Sequence, residues 1–447
     1  MFKSRYAIEA TGRQGEPLLY NASNGAFVQL GAAARACWET GDFEADAVKE
    51  LVDCGLVTDL SPEDELERQR ALFDRERTDT SHLTLSLVPT YVCNFRCPYC
   101  YELGHKKVKG KMDARTMDAI ESFVQFKYEQ DSFGRLSVQW YGGDPSLALD
   151  EVAEMTRRLV SWCEGHGVAY DAVMLTNANV IDEAAAQLIA DCRISLAFLT
   201  IDGPEELHNK RRVAANGSNS YAKTIEAARL LSAHGIRLAA NMNADKVNIK
   251  HYDELRQKLF DEEGIMLTMG KLNDYGHFFG TEPFCAPDFD LFTHDEFFVA
   301  QFEEFAKREH GADELRSMLR PARRFCTGQY DNYFVIDLLG DVYNCDGWVG
   351  DKGHVRFNLF DGPSTWKLHE VTLDATRDPK CERCEILPIC QGNCLWEREC
   401  SGMPCHPFKT TIGDYLALYR TCFDADADAS DTTVLAEPFS PADLGWE

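Results

Sequence analysis

Three cysteines, Cys93, Cys97 and Cys100, fall within eight residues, and seven more recur in the last third of this 447-residue chain: Cys326, Cys345, Cys381, Cys384, Cys390, Cys394 and Cys405. Thiolates at such short spacings hold metal more readily than they form disulfides. The first set reads C-x3-C-x2-C, three ligands on one loop. A 4Fe–4S cluster takes four cysteines, so three leave one iron open to a small molecule. Zinc on the same three thiolates with His105 is the alternative, although zinc favours paired ligands on separate knuckles. Cys381, Cys384, Cys390 and Cys394 also make a four-thiolate zinc set by spacing, but one that gives Cys326, Cys345 and Cys405 no purpose.

The chain holds seventeen cysteines, an odd number, and neither a secretory signal core nor a run of apolar residues long enough to span a membrane. The expected setting is cytoplasmic, with reduced thiols. A formal charge of −27 argues against nucleic acid and against anionic membranes. Hydrophobic residues at 45% keep the composition in the ordinary globular range, so the acid excess belongs to a solvated surface.

The elements that must position these cysteines are legible as pattern. Tyr6–Ala10, Pro17–Tyr20 and Ala26–Leu30 read as strands joined by Gly-containing turns, followed by helices near 31–40 and 44–54, a unit of winged-helix size over residues 1–80. Charged Glu63–Thr78 reads as an exposed helical linker. From 81 to 310, six short apolar runs beginning at Leu83, Leu136, Ala172, Leu196, Ile236 and Ile265 alternate with helical stretches. That order predicts an α/β architecture with a parallel sheet, open or partly closed as a barrel, with its chemistry at the C-terminal strand ends. Within an expected domain over 311–422, residues 322–422 show little periodicity and are expected to be held by metal. The acidic segment 423–447 reads as a solvated tail.

C-x3-C-x-aromatic-C after the first strand of such a sheet resembles the radical S-adenosylmethionine (SAM) enzymes. The resemblance implies a partial (βα)6 TIM-like barrel whose open iron, held by Cys93, Cys97 and Cys100, chelates SAM. The reduced cluster then cleaves SAM to a 5′-deoxyadenosyl radical that takes hydrogen from the substrate. Gly142-Gly143-Asp144-Pro145 is similar to the family's Gly-Gly-Glu-Pro motif, with Asp shortening the reach toward the methionine amino group by one methylene. Thr200-Ile201-Asp202-Gly203-Pro204, followed by His208 to Arg212, is similar to the run whose hydroxyl and arginine contact SAM, roles that fall to Thr200 and Arg212. Asn209 stands where the family has Asp. Thr176-Asn177 matches a Thr-Asn-Gly motif with Ala178 for Gly. Tyr99, Asn177 and Asp202 complete the expected cofactor-binding positions.

The seven later cysteines are similar to the SPASM pattern of the same family, which implies two auxiliary 4Fe–4S clusters and three clusters in all. The first falls to Cys326, Cys345 and Cys394, the second to Cys381, Cys384, Cys390 and Cys405, with Cys400 and Cys422 competing for the last place and Cys285 a candidate to complete the first. Asp346, next to Cys345, takes the place of an acid thought to act as a base in sulfatase maturases; a turn acid is the plainer reading. The basic run His105–Lys111 offers a dock for an acidic electron donor such as flavodoxin or ferredoxin, or for a peptide leader. About 90 residues precede Cys93, and their order resembles a winged-helix element that holds a precursor's leader peptide by strand addition. The expected substrate is therefore a ribosomally made precursor peptide, with formation of a thioether or carbon–carbon crosslink. Oxidation of a Cys or Ser in a protein, as in sulfatase maturation, is the alternative, and dehydrogenation of a small alcohol a weaker one.

Overall fold

The computed structural model describes residues 1–44, 46–100, 102, 108–273, 289–322, 326–368, 374–401, 405–423 and 431–444. His105–Lys107 of the basic run and Cys285 lie outside the described residues. The chain divides into two compact units, Met1–Thr78 with Phe298–Gln329 and Val371–Glu447, and Asp79–Phe297 with Tyr330–Glu370.

In the first unit, strand β1 (Phe2–Lys3) is followed by β2 (Ala7–Thr11), β3 (Pro17–Asn21), β4 (Phe27–Gln29), helices α1 (Ala32–Thr40) and α2 (Lys49–Asp53), strand β5 (Val57–Thr58) and helix α3 (Pro62–Arg77). β2, β3 and β4 form an antiparallel meander, and β1 pairs with β5. The expected hairpins thus form. Helix α3 is not an exposed linker: Leu66, Gln69 and Phe73 are buried, and Glu65 accepts from Ser4 Oγ (2.6 Å) and Arg5 N (2.8 Å). The spacing of these three residues draws one face inward despite the charge on the rest of the helix.

The chain end also differs from its expectation as a solvated tail. Thr433–Ala436 pairs antiparallel with β4 and adds a fourth strand to the meander. Residues 408–420, expected to lack periodicity, form a helix whose Tyr419 stacks on Phe27 at 4.9 Å and whose Arg420 donates to Gln29 Oε1 at 2.6 Å.

The second unit contains β6 (His82–Val88), α4 (Ala114–Asp131), β7 (Arg135–Trp140), α5 (Leu149–His166), β8 (Ala169–Leu175), α6 (Glu183–Asp191), β9 (Ile194–Thr200), α7 (Glu205–Arg211), α8 (Ser220–Ala233), β10 (Arg237–Ala244), α9 (Tyr252–Glu263) and β11 (Met266–Lys271). Strands β6 to β11 lie side by side in sequence order and pair in parallel, the mixed α/β arrangement that the alternating pattern predicts. On β6, Leu83, Leu85 and Leu87 are fully buried on one face, while Ser86 is buried on the other. Strand β12 (Tyr333–Asp337), in a stretch expected to be irregular, pairs in parallel with β6 and leads into β13 (Asp341–Tyr343) and β14 (Phe357–Asn358). All five residues of β12 are buried, so both of its faces are covered. Among the described residues no helix is long and apolar enough to cross a membrane.

Candidate functional site

The loop after β6 carries the first three cysteines. They pack with Phe95, Tyr99, Ala214 and Leu272, and Cys97 is buried. Cys93 Sγ accepts from Phe95 N (3.4 Å) and Asn177 Nδ2 (3.7 Å), and Asn177 Nδ2 also reaches Asn94 Oδ1 at 2.7 Å. The strand end of β7 braces this loop from beside it: Gly143 N donates to Thr90 O (3.1 Å) and Asp144 N to Val92 O (3.0 Å). A Cβ at Gly142 would come within 2.7 Å of Thr90 O, and one at Gly143 within 2.5 Å of Tyr91 O and Val92 O. Only glycine allows that approach, and Gly142 also takes φ +112°. Pro145 opens the 3-10 turn that follows.

Asp144 is buried, and both its oxygens accept from the protein. Oδ1 takes Ser146 N (2.9 Å) and Thr176 Oγ1 (2.8 Å), and Oδ2 takes Asn177 N (2.8 Å). The short acid thereby ties the end of β7 to the end of β8, and burial pushes its pKa up from the ordinary carboxylate value. Ala178 keeps the left-handed conformation, φ +58°, that suits the Gly of the related motif; this costs about 1–3 kcal/mol.

At the end of β9, Asp202 gathers several groups. Tyr99 Oη donates to its Oδ2, and Asn243 N to its Oδ1 at 2.9 Å. Arg212 Nη1 donates to Tyr99 Oη at 3.2 Å, and the guanidinium lies 5.4 Å from the Phe95 ring centre. Arg212 Nε is buried and finds no acceptor among the described residues. A buried donor left without an acceptor, beside Cys97, fits a carboxylate or hydroxyl oxygen of a bound ligand. Thr200 closes β9, half-buried. Beside Arg212, Arg211 Nη2 grips both oxygens of Asp245 at 2.7 and 2.8 Å, both side chains being fully buried. Asn209, in place of Asp, accepts from Ser220 Oγ and Tyr221 N, both at 2.8 Å, and so links α7 to α8.

Asp346 meets three strands. Its Oδ1 accepts from Ser86 Oγ of β6 (2.5 Å), and its Oδ2 from Tyr333 Oη of β12 (2.7 Å) and Gln139 Nε2 of β7 (3.1 Å). Burial raises its pKa above the usual carboxylate value, and the three donors oppose that rise. This is more than a turn acid makes. A second carboxylate, Asp337, accepts from Tyr91 Oη (2.5 Å) and Tyr343 Oη (3.2 Å), which stand two residues before Cys93 and two before Cys345. Ser86, Gln139, Tyr333 and Asp337 were not singled out from the sequence. The signal available for Ser86 and Gln139 is a polar residue flanked by apolar ones, Leu85 and Leu87 or Val138 and Trp140.

In the other unit, Cys381 and Cys384 lie on a turn, Cys390 ends a short helix, and Cys405 follows. Burial pushes the Cys390 thiol up to about 12, and its neighbours Cys381 and Cys384 add to the rise. Cys405 is raised by burial and then by Cys384. Cys384 thus couples to Cys381, Cys390 and Cys405 in turn. Cys394, raised to about 11 by burial, has Cys326 as its neighbour. Thiols coupled in this way repel as thiolates until a cation neutralises them; Cys390 is buried and the other three are half-buried, and among the described residues no group of three or more His, Cys, Asp or Glu stands close enough to hold a single metal ion. Cys422 donates elsewhere, to His310 O at 3.4 Å, and Cys400 sits on the helix Leu395–Ser401. Cys345, in the unit of the parallel sheet, accepts from Gly347 N at 3.4 Å.

Residues 87–259 match the profile of the Radical SAM superfamily. A cysteine-type anaerobic sulfatase-maturating enzyme of Clostridium novyi (strain NT) is 22% identical over 355 residues, 74% of this chain and 91% of that protein. The radical SAM cyclopropyl synthase TigE of Paramaledivibacter caminithermalis is 19% identical over 388 residues, 78% of this chain and 76% of that one. Among solved structures, native anSMEcpe with bound AdoMet and Cp18Cys peptide superposes with a TM-score of 0.57 at 19% identity, covering 76% of this chain and 99% of that one. At that identity the likeness speaks for the fold.

Proposed function

Because the chain carries a radical SAM domain and is an enzyme of radical oxidative chemistry, we propose that it takes hydrogen from a ribosomally made precursor peptide and installs a thioether or carbon–carbon crosslink. When bound, a 4Fe–4S cluster on Cys93, Cys97 and Cys100, together with SAM, would supply one-electron cleavage of the sulfonium and a 5′-deoxyadenosyl radical as hydrogen acceptor. Gly142 and Gly143 let the β7 end pack against the cysteine loop, with Pro145 and Asp144 fixing the turn. Tyr99, Asn177, Thr200, Asp202 and Arg212 line the cofactor side, Arg212 Nε offering a free donor. Asp346 is the base: three hydrogen bonds orient its carboxylate, and burial makes it a better proton acceptor than an exposed acid. Cys326, Cys345 and Cys394, and separately Cys381, Cys384, Cys390 and Cys405, are the ligands assigned to auxiliary clusters, and a flavodoxin or ferredoxin is the assigned reductant.

The observation that carries the peptide reading is the open edge of β2. The other edge of that meander is occupied by Thr433–Ala436, whereas β2 borders a cleft of about 250 Å³ lined by Leu18, Leu30 and Trp38 together with Glu9, Arg35 and Glu39. A strand edge with no partner strand among the described residues, beside a cleft of mixed apolar and charged lining, suits an extended segment that adds as a further strand. A second reading, oxidation of a Cys or Ser in a sulfatase, is favoured by the Clostridium novyi relative, 91% of which aligns.

An anaerobic reaction with SAM and dithionite separates the two. The peptide encoded beside the gene should lose two hydrogens by mass, while a peptide copying a sulfatase active-site cysteine should be left intact. Aldehyde formation on the latter, with the former unchanged, replaces the first reading by the second. Asp346→Asn should keep SAM cleavage and lower product formation by about 10²–10⁴-fold. Unchanged product removes Asp346 from the chemistry.

A further inference from the structure

Two cations face the thiols of the second auxiliary set. Arg398 Nη1 donates to Cys381 Sγ at 3.1 Å while its Nη2 holds Asp378 Oδ2 at 2.7 Å. Only 11% of the Arg398 side chain is exposed, so the guanidinium is fixed rather than waving in solvent. Asp378 in turn accepts from Lys380 N (2.8 Å) and Cys381 N (3.3 Å), which locks the arginine to the turn that carries the cysteine. Lys409 is electrostatically coupled to Cys384 and Cys405, with Glu385 3.7 Å away as its counter-charge. On the first cysteine loop Phe95 N and Asn177 Nδ2, both neutral, donate to Cys93.

We propose that Arg398 and Lys409 set the reduction potential of the cluster held by Cys381, Cys384, Cys390 and Cys405, making it easier to reduce than the same cluster would be without them. The proposal rests on the assignment of an auxiliary cluster to these four cysteines. Iron–sulfur potentials follow net charge and hydrogen bonds to sulfur, and a positive charge at a ligand sulfur stabilises the reduced, more negative cluster. Asp378 and Glu385 offset part of that charge, but Arg398 donates directly to a ligand sulfur and Lys409 is coupled to Cys384 and Cys405. A cluster tuned upward in a chain of net charge −27 is suited to receive an electron rather than to supply one.

The test is an EPR-monitored dithionite titration, with mediators, of the reconstituted full chain. Arg398→Gln should make one couple about tenfold less favourable to reduce, equal to about 59 mV for one electron, and leave the others in place. Arg398→Lys, which keeps the charge, should retain most of the original value. If Arg398→Gln fails to hold iron, Lys409→Gln must show the same downward move at wild-type iron content. Unmoved couples with full iron overturn the proposal and leave the cluster assignment standing; loss of iron in both variants overturns it in favour of an assembly role. Wild-type protein holding only the roughly four irons of a single cluster overturns the assignment and the proposal together.

Discussion

The loop Cys93–Cys100 and the turns around Cys381–Cys405 bring thiols together by opposite means. The first is a strand-end loop whose backbone is hydrogen-bonded to the neighbouring strand end through Gly143 and Asp144 and packed so closely that no side chain fits between. The second carries none of its cysteines on a strand end; Ile386, Leu387, Ile389 and Cys390 share a core with Ile8, Leu18 and Tyr20 of the meander. Its geometry rests on Asp378 capping a turn, on Gln391 and Asn393 in left-handed conformations at φ +48° and +60°, and on side chains that cross from one turn to the next, such as Gln329 Nε2 to Gln391 O at 2.7 Å. Where a parallel ladder fixes the ends of the loop, the ligands are preset whether or not metal is present. Where irregular turns rest on a core by their side chains, with no ladder at the ligands themselves, metal has a larger share in holding the chain.

Three measurements press on this contrast. The largest effect should come from Cys97→Ala: SAM cleavage falls to background, yet amide protection along β6 to β9 stays at the wild-type level because the sheet does not depend on the cluster. Loss of protection in those strands would erase the distinction. Next, Gly143→Ala should cost about 1–3 kcal/mol in denaturant unfolding, since its methyl would press on Tyr91 O and Val92 O; an unchanged midpoint would mean that the loop gives way freely. The smallest effect belongs to the second site. Chelation of iron should raise hydrogen exchange about tenfold over residues 378–398, equal to about 1.4 kcal/mol, with β6 to β11 little altered, and equal changes in both regions would refute the contrast.

Local pattern carried much of this architecture. Six apolar runs separated by helical ones determine the order of β6 to β11, and cysteine spacing marks where ligands stand. What the sequence did not reveal depends on partners far apart along the chain. Tyr333–Asp337 is a short apolar run inside a cysteine-rich stretch; only its pairing with β6, some 250 residues earlier, makes it part of the sheet. Asp346 shows the same limit: it is legible as an acid beside a cysteine, but its three donors come from β6, β7 and β12, and no local signal joins them. Asp144 was legible as a motif residue, while its use as a tie between strand ends follows from Thr176 and Asn177 standing within 2.8 Å. Helix α3 was misjudged because its many charges conceal a narrow inward stripe of Leu66, Gln69 and Phe73.

The pairing of Thr433–Ala436 with β4 sets an order on synthesis. Val28 meets Val434, about 400 residues further along. At a translation rate of about 5–20 residues per second, the meander waits on the order of 20–80 s with the β4 edge bare. A nascent chain must pass that interval with an unpaired strand available to any other extended segment, a window in which a chaperone, or a second copy emerging from the same message, competes for the place that Thr433–Ala436 finally fills.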